Sequence, residues 1–176
     1  MPELEIHHET EHKIDPGGQR VGVLAALLAV ALAIVSIASH RTHTAAIIHK
    51  SSANDSWQRY QSTRVKVHTL ELGESLVGVF GAKDAQAEKA FANFAAQEKD
   101  QESKGKAIQK QAQEADDLAE HDERRALHYD LGEGFLEIAL VTSSLFFISR
   151  KFMFPWIGIT AGIVGIAIAL MGWLHA

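Results

Sequence analysis

The 176-residue sequence contains no cysteine, and it has only three prolines and two tyrosines. Without cysteine the chain can form no disulfide, no thiolate metal site and no cysteine nucleophile. The scarcity of proline favours long helices, because proline interrupts helical hydrogen bonding. Basic charge is not in excess either: the net charge is −5, and both signs are interleaved in the polar part of the chain. This composition lacks the one-signed basic face that nucleic-acid binding requires.

Apolar residues concentrate in three segments. Val21–Ser39 and Phe154–Leu174 carry no charge, and about 20 apolar residues suffice to cross the hydrocarbon core of a bilayer. Leu131–Ser149 is less uniform because it contains Glu133 and Glu137, but both acids lie towards one end. The sequence therefore predicts an all-α membrane protein with three transmembrane helices.

A cleaved signal peptide is the rival interpretation of the first apolar segment, because the small residues Ser36 and Ala38 could form a cleavage site. The acidic tail before the segment and the length of its apolar run favour an uncleaved anchor instead.

The polar residues between the first and second spans are rich in the strong helix formers Ala, Glu, Lys and Gln. This composition predicts two helical arms that form a long extramembrane hairpin resembling a coiled coil. The glycines of Gly73–Gly81 predict the turn between the arms, and Gly105 predicts a break or a bend in the second arm. The apolar stripes of the arms are thin, so either the arms pack on each other as an isolated hairpin or a partner chain completes their burial.

The predicted organisation is a polar tail (1–20), span one (21–39), the hairpin (40–130), span two (131–149), a short loop (150–153) and span three (154–174).

The orientation follows from the basic residues of the shortest loop. Arg150 and Lys151 lie between the second and third spans, and positive residues in short loops stay in the cytoplasm. We therefore expect a cytoplasmic N-terminus, with the middle region and the C-terminus on the opposite side.

Two groups of residues are candidates for helix packing or for a partner interface. Small residues recur along one face of the third span, where they would let another span or another subunit approach closely; they are Gly158, Gly162, Gly165 and Ala169. Trp57 and Tyr60 stand in a segment otherwise poor in aromatics. They either anchor a partner protein or pack against the returning arm.

Glu133 and Glu137 are four residues apart and share a helix face. Acids at membrane depth often mark ion paths, whereas acids at the end of a span can still reach water. The sequence leaves both interpretations open.

The ten histidines do not predict a metal site. His7, His8 and His12 in the tail, and the pair His40 and His43, have spacings that resemble those of metal ligands. No carboxylate-flanked motif accompanies them, so we interpret them as exposed or interfacial histidines. The sequence thus predicts no catalytic set, no metal and no cofactor.

The chain resembles an uncharacterised bacterial membrane-protein family, of the domain of unknown function 4337 type. The resemblance is carried by a patch after the first span and by residues at the start of the second; they are Asn54, Asp55, Trp57, Tyr60, Gln61, Asp130, Leu131 and Glu133. The chain departs from the family pattern at Ser62 and Thr63. The resemblance implies a multi-pass protein of the bacterial inner membrane, and it implies no activity. With the orientation expected from Arg150 and Lys151, the middle region and the C-terminus would lie in the periplasm.

The leading functional hypothesis is a non-enzymatic membrane protein. It would act as a structural or accessory subunit, or as a scaffold, of a larger membrane complex such as an energy-transducing one. Its partners would be other membrane subunits, further copies of itself and the lipid bilayer. The alternative hypothesis is a small homo-oligomer that conducts ions or protons past Glu137.

Overall fold

The residues that the structure describes fold almost entirely into helices. A computed structural model describes residues 16–81 and 85–174. The helices are α1 (Pro16–Phe80), α2 (Ala85–Ser144), α3 (Phe146–Ser149) and α4 (Met153–Leu174). Three helices, namely α1, α2 continued through α3, and α4, contain a stretch long and apolar enough to cross a membrane. The prediction of an all-helical chain with three such helices is confirmed.

The helices divide into two compact units. Of the described residues, 16–39 and 127–174 form one, here called the span unit, and 40–81 with 85–126 form the other, here called the hairpin unit. Most of the predicted tail, with His7, His8 and His12, lies outside the described residues.

In the span unit, α4 packs through a face of small residues. Its buried residues alternate at spacings of three and four, which keeps them on one side of the helix; they are Pro155, Gly158, Gly162, Gly165, Ala169 and Gly172. A Cβ atom added at Gly165 would lie 2.8 Å from the carbonyl oxygen of Gly132 in α2, and the reverse distance is the same. One added at Gly162 would lie 2.7 Å from Leu28 in α1. The absence of side chains therefore sets how closely α4 approaches both neighbours.

Larger side chains complete the core of the span unit around these glycines. Leu28 and Val35 of α1 are buried with Tyr129 and Leu136 of α2. The outward faces of the same helices carry large apolar residues that remain exposed, for example Leu27 and Ile163. An apolar outer face is what a helix presents to lipid, so the pattern fits a membrane environment.

The hairpin unit is an antiparallel pair of helices with a seam of small residues. Gly105, Ala112, Ala119 and Ala126 recur every seven residues on α2, and all four are buried. A seven-residue repeat keeps side chains in the contact between two helices that wrap around each other. Gly105 lies against Thr63 of α1, so the two arms pack on each other within one chain.

Two local predictions are wrong. The first arm does not end near Gly73: α1 continues to Phe80, and the ring of Phe94 packs 3.3 Å from the position of a Cβ at Gly73. Gly105 does not break the second arm, because α2 is continuous from Ala85 to Ser144. Both glycines receive an aromatic or β-branched side chain from the opposite helix, and this packing outweighs their low helix propensity of roughly 1 kcal/mol relative to alanine.

The connection between α2 and α4 is short and tightly turned. After Ser144 the chain makes a single turn at Leu145, whose N–H donates to the carbonyl oxygen of Thr142, and then forms α3. Arg150 ends α3 in a left-handed conformation with φ 56° and donates its N–H to Phe146. This helix-ending geometry is unusual for a residue other than glycine or asparagine, and it turns the chain back towards α4.

Gly132→Ala and Gly134→Ala form a matched pair that tests the close approach of α2 and α4. A methyl group at residue 132 would meet the backbone of Gly165, whereas nothing lies within 4 Å of one at residue 134. We expect Gly132→Ala to lower the free energy of unfolding by about 1–3 kcal/mol, a usual cost of overpacking. Gly134→Ala should leave it unchanged or slightly raised. Circular dichroism during denaturation in mixed micelles measures both, and equal stabilities of the two variants would contradict this packing.

Candidate functional site

The small-residue face predicted on the third span lies against helices of the same chain. Gly158 packs on Ser143 and on the carbonyl oxygen of Ala139, and Gly165 packs on Gly132. Ala169 belongs to the core of the span unit. The sequence left two interpretations of this face, a contact between spans of one chain and a contact with another subunit. In the structure the face forms contacts with α1 and α2 of the same chain.

Trp57 and Tyr60 meet each other and the opposite arm. Their rings are in edge-to-face contact, with centroids 5.8 Å apart and planes at 80°. The Trp57 indole donates a 2.7 Å hydrogen bond to Asp116 of α2, and the Tyr60 ring lies beside Gly105. Both aromatics remain half-buried, so their main contacts within the chain are with the returning arm.

Asp116 joins the two arms through both of its carboxylate oxygens. One accepts from Trp57 and the other accepts from the Lys50 ammonium at 3.0 Å. The hydrogen bond from Trp57, followed by that from Lys50, holds the pKa of Asp116 below its ordinary value, and the same contact raises the pKa of Lys50. Lys50 and Trp57 are two turns apart on α1, so Asp116 holds one face of that helix at two points.

Asp122 forms a second polar layer, and this one lies inside the seam. The residue is 8% exposed. Its oxygens contact His49 Nδ1 at 2.9 Å and the Arg125 guanidinium at 3.4 Å. A buried carboxylate is strongly unfavourable without such partners, so this layer favours the one alignment of the arms that brings His49 to Asp122.

Two glutamates occupy the seam near the other end of the hairpin. Glu74 of α1 has one carboxylate oxygen enclosed without a hydrogen-bond partner. Desolvation, followed by the negative charges of Glu74 and Glu71, raises the pKa of Glu98 on α2. Ionised Glu98 therefore weakens this part of the pair, in contrast to Asp116 and Asp122.

The contacts between α2 and α4 fix the level of Glu137 in the span unit. Gly132 faces Gly165, and Ala139 faces Gly158 and Gly162. Since Glu137 lies between residues 132 and 139 on α2, it is level with the stretch between Gly158 and Gly165 of α4.

That stretch is the middle of α4. Trp156 and Trp173 lie near the two ends of the helix, where aromatic rings mark the interfaces of a membrane span. Glu137 is exposed on the outside of the span unit, and Glu133, one turn closer to the start of the apolar segment, is half-buried. The two acids thus differ: Glu133 fits the interfacial interpretation better, whereas Glu137 is level with the centre of the span.

Each unit also carries a cleft. The hairpin unit has a volume of about 110 Å³ beside Gly105, lined by polar residues such as Arg64 and Glu102. The span unit has a groove of about 300 Å³ between α1 and α4, lined almost wholly by apolar side chains, with Trp173 and Tyr129 among them.

Within residues 16–81 and 85–174, no three His, Asp or Glu side chains gather in a way that could hold a metal ion. His40 and His43 lie in α1. The histidines of the tail fall outside these ranges.

The comparisons with known proteins identify a family. A family model described as a domain of unknown function, DUF4337, matches residues 18–175. The chain belongs to this family. The resemblance drawn from the sequence is confirmed over nearly the whole length of this DUF4337 member. No curated protein and no solved structure matches it.

Two of the residues that carried the resemblance join helices of this DUF4337 chain. Trp57 binds Asp116, and Asp130 accepts a 2.6 Å hydrogen bond from Ser39 within the span unit. Sequence reasoning missed Asp116 and Asp122. The signal that could have found them is the Ala112, Ala119 and Ala126 repeat, which shows which face of α2 is inward.

Glu98→Gln tests the acidic pair in the seam. The pKa of Glu98 is raised in the folded protein, so stability is lost as pH rises from the ordinary value of 4.5 through the folded pKa. We expect Glu98→Gln to raise the melting temperature of the hairpin unit at pH 7, with a gain that disappears below about pH 4.5. Fluorescence of Trp57 in a Trp156→Phe, Trp173→Phe background reports this melting.

Glu114→Gln is the control, because Glu114 is exposed and its contact with Lys110 is 3.6 Å long. It should change the melting temperature little at either pH. A Glu98→Gln variant no more stable than this control at pH 7 would contradict the assignment of the raised pKa to the seam.

Proposed function

We propose that the chain is a non-enzymatic integral membrane protein that acts as a structural or accessory subunit, or as a scaffold, of a larger membrane complex. The observation that carries the proposal is that the inward faces of the helices, in both units, pack on other helices of the same chain. In the hairpin unit the inward positions hold small residues, and the acids Asp116 and Asp122 bond to the opposite arm. In the span unit the inward face of α4 is glycine and alanine. Contacts with other molecules are left to the outward faces.

The proposal includes a location. The three apolar stretches would cross the membrane, and the hairpin unit would lie outside it as an antiparallel coiled coil. Arg150 and Lys151 are both exposed at the connection between α3 and α4, which supports a cytoplasmic position for that connection and for the N-terminus. The hairpin unit and the C-terminus would then face the other side, which is the periplasm if the membrane is a bacterial inner membrane.

Purification of a tagged full-length chain in a gentle detergent tests the scaffold role. We expect other membrane subunits to accompany the chain in stoichiometric amounts, as quantified by mass spectrometry. Ala112→Leu should release them, because Ala112 is fully buried in the seam and a larger side chain would force the arms apart.

Gln111→Asn is the matched control, since residue 111 is exposed on the same turn and asparagine keeps its polar amide on the outward face. It should retain the subunits. If the wild-type chain is recovered without any other membrane subunit, the accessory role is wrong.

The ion-conducting homo-oligomer remains the second candidate, and the position of Glu137 favours it. A carboxyl group level with the centre of a membrane span costs about 2.5–3.5 kcal/mol on insertion scales unless it is neutral, paired or in contact with water. Several copies that arrange Glu137 around a shared aqueous path would relieve this cost.

Liposomes that contain the purified chain test this second role. If Glu137 lines a path, the wild-type chain should conduct protons or cations, and Glu137→Gln should abolish the flux without changing the mass of the assembly. Glu133→Gln, at the half-buried position one turn away, should reduce the flux less. Liposomes with no flux above protein-free vesicles would exclude the candidate.

A further inference from the structure

Glu137 lies deep in the span unit, on the outside of α2. Ser39 is the last residue of the first charge-free run, and its hydroxyl donates a 2.6 Å hydrogen bond to Asp130. Asp130 therefore marks the level at which the apolar part of α1 ends. Glu137 is seven residues further along α2, which places it about 10 Å deeper at a rise of 1.5 Å per residue. Half of a ~30 Å hydrocarbon core is about 15 Å, so in a membrane Glu137 would lie nearer to the middle of the core than to its edge.

The span unit has no positive charge at this level to pair with Glu137. The three predicted spans contain no lysine, arginine or histidine. Along the chain, the basic residues before and after Glu137 are His128 and Arg150, and both are more than two helical turns away. Arg20 and Arg150 lie at the end of the unit opposite to Asp130. Among the residues that the structure describes, the Glu137 carboxylate accordingly has no hydrogen-bond or salt-bridge partner.

The same composition shows where a positive charge for Glu137 has to come from. A second copy of the chain would bring only another glutamate to this level, because its spans contain no basic residue either. Phospholipids carry their cationic groups in the headgroup layer, which lies beyond the level of Asp130. Ionisable residues inside membrane spans pair with one another across helices. A basic residue in a span of a different protein is the source that reaches this depth.

The surface beside Glu137 leaves room for such a helix. Gly134 is three residues before Glu137 and Val141 is four after it, so both share its side of α2. No atom of a neighbouring helix that the structure describes lies within 4 Å of a Cβ position at Gly134, whereas Leu131 and Ile138 beside it are exposed large side chains. Gly134 thus forms a notch in an apolar surface. In lipid, positions without a side chain are where a second helix approaches closely.

We propose that this face of α2, with Glu137 at its centre, docks a transmembrane helix of a different membrane subunit that carries a lysine or an arginine at the same depth. The ion pair would give the carboxylate the partner that its own chain lacks. An unpaired basic residue in the middle of a span is costly as well, so each subunit would favour association with the other. This inference rests on the accessory role proposed above and names the kind of subunit that the role requires.

Synthetic transmembrane peptides test the pairing directly. One peptide is an apolar leucine–alanine helix with a single central lysine and a fluorescent acceptor, and a second has leucine in place of the lysine. The full-length chain has no cysteine of its own, so a donor can be attached through Met153→Cys, at an exposed residue. In lipid vesicles, energy transfer to the lysine peptide should exceed transfer to the leucine peptide.

Glu137→Gln should lower the apparent affinity for the lysine peptide about tenfold, since half of the cost of an unpaired charge in mid-span corresponds to a factor of that size. Glu133→Gln is the matched control, because it removes the same charge from a position about 6 Å nearer to Asp130. It should change the affinity little. Glu137→Lys should reverse the preference and bind a peptide with a central glutamate. Glu137 is exposed, so helix content by circular dichroism should stay unchanged in both of its variants.

Equal binding of the lysine and leucine peptides, or equal losses in Glu137→Gln and Glu133→Gln, would overturn the proposal. This result is distinct from failure of the accessory role. A chain that brings other membrane subunits through purification but does not prefer the lysine peptide would keep the accessory role and lose this docking face. A chain that is purified alone but binds the lysine peptide through Glu137 would do the reverse.

Discussion

Close approach of helix backbones through glycine and alanine is the constraint on which both units depend. In the span unit a single methyl group at Gly132 or Gly165 would sit 2.8 Å from a carbonyl oxygen, so the two helices could not keep their present separation. In the membrane location proposed above, apolar side chains would gain little by leaving the solvent, and association would come instead from tight packing. The small residues of α4 would then be a direct source of stability in that unit.

In the hairpin unit, small residues at the helix contact do not by themselves fix the alignment of the two arms. Ala112, Ala119 and Ala126 present similar methyl groups at equal intervals, so a slip of seven residues would again place small residues in the seam. Apolar burial alone would distinguish poorly between these alignments. Asp116 and Asp122 do distinguish them, because Lys50 with Trp57, and His49, meet these acids in only one alignment. A slipped pair would separate the buried Asp122 from His49, and Asp116 from Lys50 and Trp57, and the loss of partners is costly for the buried carboxylate above all.

The sequence predicts the fold better than the site. Long charge-free runs such as Val21–Ser39 and the helix-rich middle region indicate three candidate spans and two arms, because hydropathy and helix propensity are local properties. The end of α1 at Phe80 and the continuity of α2 through Gly105 were not predictable in this way. Both depend on what the opposite helix brings to the glycine.

The roles of the site residues likewise depend on which residues the opposite helix brings to them. Trp57 and Tyr60 stand out by residue type, whereas Asp116 is one acid among many until its partner on the other arm is known. The level of Glu137 also depends on pairing: counted along α2, it lies towards one end of an apolar segment. Only the contact of Gly132 with Gly165 brings it level with the middle of α4.

The last turns of α1 contain residues that weaken the helix, and they receive limited support from the opposite arm. Gly73 and Gly78 each weaken a helix by roughly 1 kcal/mol relative to alanine, and Gly78 has no side chain within 4 Å of a Cβ position that could compensate. On the inner side, Phe94 packs against Gly73, but Glu74 opposes pairing because Glu98 is near. The opposite arm therefore supplies only part of the burial that the last turns of α1 need, and protonation of Glu98 should strengthen its contribution.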